Sequence, residues 1–192
     1  MKLQSLRVEQ LRQFRQPIEI RDLQSGINLF TGPNESGKST LVRAIRAAFF
    51  ERFRSASVND LQPWGDTSAA PSIELEFDWE GERWRLIKSF LHHKRCDLQI
   101  GPRSLNGDEA EEQLASLLGY QFPGRGASKA EHWGIPVALW FEQGAGQDLG
   151  DAVNNASDHL QSALGESLGE VASSTGDELI TEVERERAKL RT

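Results

Sequence analysis

The sequence predicts an α/β fold, in which a β-sheet packs against helices. Three patterns along the 192 residues support this prediction. A glycine-rich segment at residues 32–40 separates a short apolar stretch from a helix-like stretch. Residues 73–90 alternate between apolar and polar in the manner of an antiparallel β-hairpin. Beyond residue 151, apolar residues recur at spacings of three and four, as on an amphipathic helix.

The first part of the chain alternates strands and turns before it enters a helix. Three strands are predicted before the glycine-rich segment, at residues 2–9, 17–22 and 27–30. The third, Ile27-Asn28-Leu29-Phe30, reads as a short buried strand. The helix after the glycine-rich segment is predicted to run to about Phe53, with Leu41, Ile45 and Phe49 on one face.

An irregular loop and a meander of strands follow this helix. Residues 54–71 contain prolines, a glycine and small polar residues, which indicates a long loop. The hairpin turns at residues 80–81, and Cys96, Leu98 and Ile100 predict a third antiparallel strand beside it. We therefore expect a mixed sheet flanked by a helix.

The last part of the sequence is predicted to be helical. Residues 101–130 predict a short helix, with Leu114, Leu117 and Leu118 as its apolar face, and then a loop rich in glycine and proline. The amphipathic helix from Asp151 is followed by a heptad-like segment, typical of the start of a coiled coil. We divide the chain into a lobe at residues 1–150 and a helical segment at residues 151–192.

The glycine-rich segment matches the phosphate-loop pattern G-x-x-x-x-G-K-[ST]. Its residues are Gly32, Pro33, Asn34, Glu35, Ser36, Gly37, Lys38, Ser39 and Thr40. In such a loop, backbone N–H groups and the helix N-terminus surround the phosphates. Lys38 is expected against the β- and γ-phosphates, and the Ser39 hydroxyl is expected to ligate Mg²⁺. The pattern predicts binding of a nucleoside triphosphate.

Three segments together resemble one known group of proteins. They are the phosphate loop with its Asn34-Glu35 spelling, the opening at residues 3–14, and Phe141-Glu142-Gln143-Gly144. The sequence resembles the SMC/SbcC/RecF/RecN-like ATPases, which have ABC-type heads and act on DNA. In the opening segment Gln10 and Leu11 replace the usual Asn and Phe, while residues 141–144 resemble the Q-loop of that group.

The resemblance implies a P-loop NTPase fold, specifically the N-terminal lobe of an ABC-type head. It implies ATP and Mg²⁺ as cofactors, with Lys38 and Gln143 as catalytic residues. Ser39 and Gln143 would be the metal ligands, and Arg12 would join the phosphate loop in binding nucleotide. The implied partners are a second head in a homodimer, the chain's own C-terminal lobe, DNA, and a nuclease or kleisin-like subunit.

Several motifs of a complete head are missing from the sequence. We find no LSGG-type signature and no strand ending in the Asp-Glu pair of a Walker B motif. Residues 135–142 form an apolar run that ends on an acid, but Pro136 has no N–H for a central strand. We therefore expect an N-terminal lobe without its complement, which belongs to an ATPase but hydrolyses ATP negligibly by itself.

Composition and charge indicate where the protein is located and which part of the chain could face phosphate. The single Cys96 excludes an internal disulfide, and no apolar stretch is long enough for a membrane span, so cytoplasm is expected. The net charge is −7, yet residues 1–54 hold ten basic and five acidic residues. Because phosphates attract positive charge, a phosphate-facing surface is expected there. Arginines such as Arg7, Arg15 and Arg21 fit either a DNA contact or a solvated strand edge.

Two other classes of function stay open from the sequence alone. A self-sufficient small P-loop enzyme, such as a nucleotide kinase or GTPase, needs its own Walker B acid or an N-K-x-D motif, and we find neither. The second class is a non-hydrolytic interaction module, in which bound nucleotide orders the lobe so that a partner subunit can bind it. The four histidines are expected to be structural or surface residues, with His92-His93 on a strand, and the five tryptophans are expected to fill the core and interfaces.

Overall fold

The structure is a computed structural model that describes residues 1–119. The strands of this part are β1 (Lys2–Glu9), β2 (Ile18–Ile20), β3 (Ser72–Trp79), β4 (Glu82–Ser89), β5 (Arg95–Ile100) and β6 (Arg103–Asn106). They form one sheet in the order β2-β1-β3-β4-β5-β6, and neighbouring strands are antiparallel. Its helices are α1 (Lys38–Phe50) and α2 (Gly107–Leu118), with a 3₁₀ turn at Asn59–Leu61. The predicted α/β fold is confirmed, but the sheet of residues 1–119 is antiparallel throughout and not mixed as predicted.

One face of the sheet is apolar and carries the core. Strand β3 buries Ile73, Leu75 and Phe77 completely, and the charged residues between them lie on the opposite face. Helix α1 packs on the apolar face, where the rings of Phe49 and Phe77 meet edge to face with centroids 5.6 Å apart. The hairpin β3–β4 and the strand β5 beside it are confirmed, because period-two alternation with one buried face specifies strand pairing.

The apolar face of β4 contains one charged residue. Lys88 is 0% exposed and Glu111 of α2 is 1% exposed. The Lys88 ammonium lies 3.3 Å from a Glu111 carboxylate oxygen and donates a 2.9 Å hydrogen bond to the Glu51 carbonyl. The same carboxylate accepts a 2.8 Å hydrogen bond from the Phe53 backbone N–H. This buried pair therefore joins β4 and α2 to the segment that leaves α1.

The strand predicted at residues 27–30 is wrong. Ile27 is 96% exposed and Leu29 is 83% exposed, and no strand within residues 1–119 pairs with this segment. The preceding backbone is instead folded into a turn, in which the Asn28 side chain exchanges two hydrogen bonds with the Gln24 backbone. An apolar run becomes a buried strand only where neighbouring strands satisfy its backbone, and the described residues supply none.

Other boundaries differ by a few residues from those predicted. Strand β2 is shorter than residues 17–22, and α1 ends at Phe50 because Glu51 adopts an extended conformation with φ −93° and ψ 134°. Residues 101–106 form a turn and strand β6, so the predicted helix begins only at Gly107. His92 lies in a turn and not on a strand.

The apolar face predicted for α2 is present in part. Leu114 is fully buried, while Leu117 and Leu118 are partly exposed. The predicted boundary at residue 150, the glycine- and proline-rich loop, the amphipathic helix from Asp151 and the coiled-coil segment lie outside the described residues.

Candidate nucleotide site

The phosphate loop leads directly into helix α1. Glu35 and Gly37 have positive φ angles of 64° and 97°, so the backbone is left-handed at two positions shortly before the helix. Gly37 is the N-cap, and its carbonyl accepts the first helical hydrogen bond from Leu41 N–H at 3.0 Å. Because left-handed backbone is strained for residues with a Cβ, glycine at position 37 permits this turn.

The turn between β1 and β2 packs tightly against this glycine. A Cβ placed on Gly37 would lie 2.2 Å from Cζ of Phe14 and 2.7 Å from Nε2 of Gln13. The Gln13 side-chain oxygen also accepts a 2.8 Å hydrogen bond from the Thr40 hydroxyl. Neither Gln13 nor Phe14 was a predicted site residue, although both lie in the opening segment that carries the family resemblance. Gln13 and Phe14 therefore pack against the phosphate loop at Gly37.

The N-terminus of α1 is suited to an external anion. No side chain caps it, and its first turn contains no acidic residue. Helix α2 differs, because Asp108 and Glu109 occupy its first turn and complement its dipole from within the chain. The unsatisfied N–H groups at the start of α1 therefore remain available for a ligand that carries negative charge.

Lys38 places its positive charge within the phosphate loop. Its ammonium donates hydrogen bonds to the carbonyls of Gly32 and Pro33, at 2.8 and 2.7 Å. The side chain thus folds back over the loop instead of extending into solvent. Ser39 is exposed and Thr40 is buried, so Ser39 presents the accessible hydroxyl of the two. The contacts of Lys38 and Ser39 with phosphate and Mg²⁺ stay predictions.

Arg12 precedes the two residues that pack against Gly37, and its guanidinium is bonded to an aspartate. Its Nε donates to the Asp60 carbonyl and its Nη2 to Asp60 Oδ2, both at 2.9 Å. Asp60 also accepts a 3.0 Å hydrogen bond from Arg43 Nε of α1. Burial by itself would raise the pKa of Asp60, but the hydrogen bonds and charges of Arg43 and Arg12 outweigh it and lower that pKa. Asp60 is therefore ionised near neutral pH.

The remaining candidate residues are placed as follows. Gln143, the predicted Q-loop residue, lies outside the described residues together with Trp133, Trp140, His132 and His159. Trp84 is buried in the core, whereas Trp64 is 94% exposed. Within residues 1–119, no group of three His, Cys, Asp or Glu side chains is arranged to hold a metal ion. None of the helices there has the length and apolarity needed to cross a bilayer.

A polar cavity of about 450 Å³ lies on the opposite face of the sheet, away from the phosphate loop. Its arginines are already paired, Arg7 with Glu9, Arg21 with Glu19 and Arg83 with Glu76. Since these ion pairs occupy the groups that a ligand would need, we assign no ligand to this cavity.

The glycine loop, the open helix N-terminus and the lysine folded across them together define a phosphate-binding domain of the P-loop class. Residues 5–119 match a family profile described as AAA domain. The chain belongs to this AAA-domain family. A comparison with curated proteins finds no significant match.

Two solved structures that match this chain come from work on SMC proteins. One comes from work on the structural biochemistry of ATP-driven dimerization and DNA-stimulated activation of SMC ATPases. It is 14% identical, with a TM-score of 0.42, over 81% of this chain and 99% of that one. The other is the SMC head domain from Thermotoga maritima, 21% identical with a TM-score of 0.38. That match covers 72% of this chain and 49% of the Thermotoga chain.

Proposed function

We propose that this chain is the ATP-binding N-terminal lobe of an SMC-like ATPase head. The observation that carries the proposal is the phosphate loop itself, in which Lys38 lies across the loop at an uncapped helix N-terminus. The AAA-domain family match supports nucleotide binding by the same residues. In this proposal Lys38 contacts the β- and γ-phosphates of ATP, and Ser39 and Gln143 ligate Mg²⁺.

An exposed apolar segment supports the existence of a complementary lobe. Ile27 and Leu29 are almost fully exposed immediately before the phosphate loop, and Phe30 is 36% exposed. Removal of apolar surface from water is favourable by about 25 cal/mol per Å², so burial of this cluster against another element would stabilise the protein. We infer that a further strand or helix of the complete protein covers this segment and supplies the catalytic acid of a Walker B motif.

The proposed mechanism divides the catalytic groups between lobes and heads. Phosphoryl transfer is catalysed mostly by positioning and charge stabilisation. Lys38 supplies charge at the transferred phosphate, and Gln143 places the attacking water. The acid comes from the C-terminal lobe, and the signature motif comes from a second head across the nucleotide. Bound ATP then joins two heads, and hydrolysis releases them.

DNA is the proposed substrate of this clamping cycle, in repair, chromosome organisation or defence against foreign DNA. The basic excess in residues 1–54 supports an attraction for phosphate, but much of it is already paired. Arg7 is bonded to Glu9, Arg12 to Asp60 and Arg21 to Glu19. A nuclease or kleisin-like subunit and a cytoplasmic location are further parts of the proposal that rest on the sequence alone.

Reconstitution of hydrolysis tests the proposal. We expect the 192-residue chain to hydrolyse ATP negligibly and to gain activity when its C-terminal half is added. Lys38→Ala should abolish that activity, while Lys94→Ala, which removes an equal charge from an exposed turn, should not. Robust turnover by the chain alone would contradict the division between lobes. ATP-dependent association without turnover would favour a non-hydrolytic module instead.

The salt dependence of DNA binding tests the proposed substrate. Contacts to the DNA backbone release counterions, so affinity should fall steeply as ionic strength rises. We expect this behaviour from the complete protein with ATP. A failure to bind DNA at low salt would leave ATP as the only phosphate ligand.

A further inference from the structure

The backbone of Arg12 is fixed next to two residues that contact the phosphate loop. Its two successors, Gln13 and Phe14, pack against Gly37, and Gln13 accepts the hydrogen bond from Thr40. Arg12 has a positive φ of 50°, and its backbone N–H donates to the Leu61 carbonyl at 2.9 Å. Because the turn is held on both sides, a change of partner by the guanidinium requires movement of the side chain only.

Asp60, which pairs with the Arg12 guanidinium, also pairs with a second cation, Arg43. Asp60 Oδ2 accepts a hydrogen bond from Arg12 Nη2. Arg43 donates to both carboxylate oxygens of Asp60, from Nε to Oδ2 at 3.0 Å and from Nη2 to Oδ1 at 3.2 Å. The Arg43 side chain is 16% exposed and the Arg12 side chain is 35% exposed. Asp60 therefore keeps its more buried cationic partner if Arg12 leaves, and its carboxylate does not become an unpaired charge.

We propose that Asp60 is the resting counter-ion of Arg12, and that a phosphate of the bound nucleotide replaces Asp60 as the partner of this guanidinium. Asp60 thereby sets the affinity of the phosphate loop for nucleotide. This inference rests on the proposed function, since it requires that the loop binds a nucleoside triphosphate.

The relative strengths of the two ion pairs favour the exchange. A partly exposed Arg–carboxylate pair contributes little, because water already solvates both charges. Arginine and phosphate form shorter, charge-assisted and often bidentate hydrogen bonds. Arg12 therefore gains by moving to phosphate, but the loss of its pair with Asp60 is subtracted from the binding free energy. Removal of the Asp60 charge reduces that loss, because only the charged part of the pair is then absent.

Titration of the full chain with MgATP tests the exchange. Asp60→Asn removes the charge and keeps the backbone carbonyl that accepts from Arg12 Nε. Asp66→Asn is the matched control, because it makes the same charge change in the same loop at a carboxylate bonded to Ser68. We expect Asp60→Asn to bind MgATP about two- to fivefold more tightly than the unmodified chain. Asp66→Asn should bind as the unmodified chain does.

A double-variant cycle assigns the effect to Arg12. Arg12→Ala alone should weaken binding about tenfold or more, since a charge-assisted contact is lost. Asp60→Asn should then give no gain in the Arg12→Ala background. The exchange is overturned if Asp60→Asn equals Asp66→Asn, if it weakens binding, or if its gain persists without Arg12. An unmodified chain that binds no ATP would instead refute the proposed function.

A measurement on the unmodified chain is independent of whether the variants fold. The Nε–Hε resonance of Arg12, assigned by its loss in Arg12→Lys, should shift on addition of MgATP. Inorganic tripolyphosphate should produce a similar shift, and adenosine should not, because only phosphate replaces the carboxylate. A resonance unchanged at saturating MgATP would overturn the exchange.

Discussion

The buried pair of Lys88 and Glu111 provides a sharp test of how this domain is held together. Glu111→Gln keeps the size of the side chain and an oxygen that accepts from Phe53 N–H, but it removes the negative charge. The Lys88 ammonium, which is 0% exposed, then has only neutral oxygens near it, the Glu51 carbonyl and the side-chain amide oxygen at position 111. We expect this single change to destabilise the fold strongly.

The magnitude follows from the burial of both groups. Removal of one partner from a buried ion pair costs about 3–5 kcal/mol, because the other charge is left without compensation. The retained hydrogen bonds of Phe53 and Lys88 place Glu111→Gln near the lower end, at about 3 kcal/mol. A typical domain has only about 5–15 kcal/mol of stability, so the loss is a large fraction of the total.

A second substitution distinguishes an uncompensated charge from a general packing defect. In the double variant Lys88→Met/Glu111→Gln neither charge of the pair is present, and the Glu51 carbonyl loses the Lys88 donor. The ion pair of Arg52 with the Glu111 carboxylate is lost in Glu111→Gln and in the double variant alike, so it does not affect their comparison. We expect the double variant to be more stable than Glu111→Gln by about 2 kcal/mol, since replacing both charges is much less costly than orphaning one. Glu112→Gln, on the exposed side of the same helix, is the matched control.

Denaturant unfolding of the full chain, followed by tryptophan fluorescence, gives the free energies of unfolding. The expected order of stability places Glu112→Gln with the unmodified chain, then the double variant, then Glu111→Gln. The reasoning is refuted if Glu111→Gln lies within about 0.5 kcal/mol of Glu112→Gln, a difference typical of surface substitutions. That result would mean that water or another group compensates Lys88.

Three further predictions concern single groups. Burial raises the pKa of the only thiol, Cys96, to about 11, so a thiol reagent at pH 8 should label the folded chain far more slowly than the unfolded chain; equal rates would contradict its burial. Gly37→Ala should abolish nucleotide binding, because a residue with a Cβ is strained at a φ of 97° and this Cβ would lie 2.2 Å from the ring of Phe14. The control Gly81→Ala, with a φ of 83° and open space around the Cβ, should bind nucleotide normally. Equal binding by both variants would contradict the loop geometry. Since the pKa of Asp60 is lowered in the folded state, its contribution is present above its ordinary pKa of 3.8 and is lost as pH falls toward the folded-state pKa. The loss of stability below pH 4 should therefore be smaller in Asp60→Asn, as urea unfolding at several pH values will show.

The parts of the fold that the sequence predicts correctly depend on local patterns. The hairpin alternates apolar and polar residues on both sides of a Glu80-Gly81 turn, and this alternation is enough to define its register. The phosphate loop is recognised because its glycines and lysine stand at fixed spacing. Strand β6 was missed because Leu105 is its only buried side chain, so no alternation is visible.

The parts that the sequence does not predict depend on residues far apart in the chain. Lys88 lies in phase with Trp84 and Leu86, which indicates a core position, but nothing in the sequence identifies Glu111 as its partner. Arg12 and Asp60 are 48 positions apart, in a turn and an irregular loop without periodicity. The apolar run at residues 27–30 was predicted to be a buried strand because of its composition. Burial also requires a neighbouring strand or helix that covers the run, and the described residues supply none.

The central claim is that the phosphate loop grips a nucleoside triphosphate through Lys38 and the start of α1. Isothermal titration of MgATP into the 192-residue chain, in parallel with Lys38→Ala, tests this claim most directly. We predict one saturable site in the unmodified chain and no measurable binding in the variant. A flat titration of the unmodified and correctly folded chain, or equal binding by Lys38→Ala, would contradict the account.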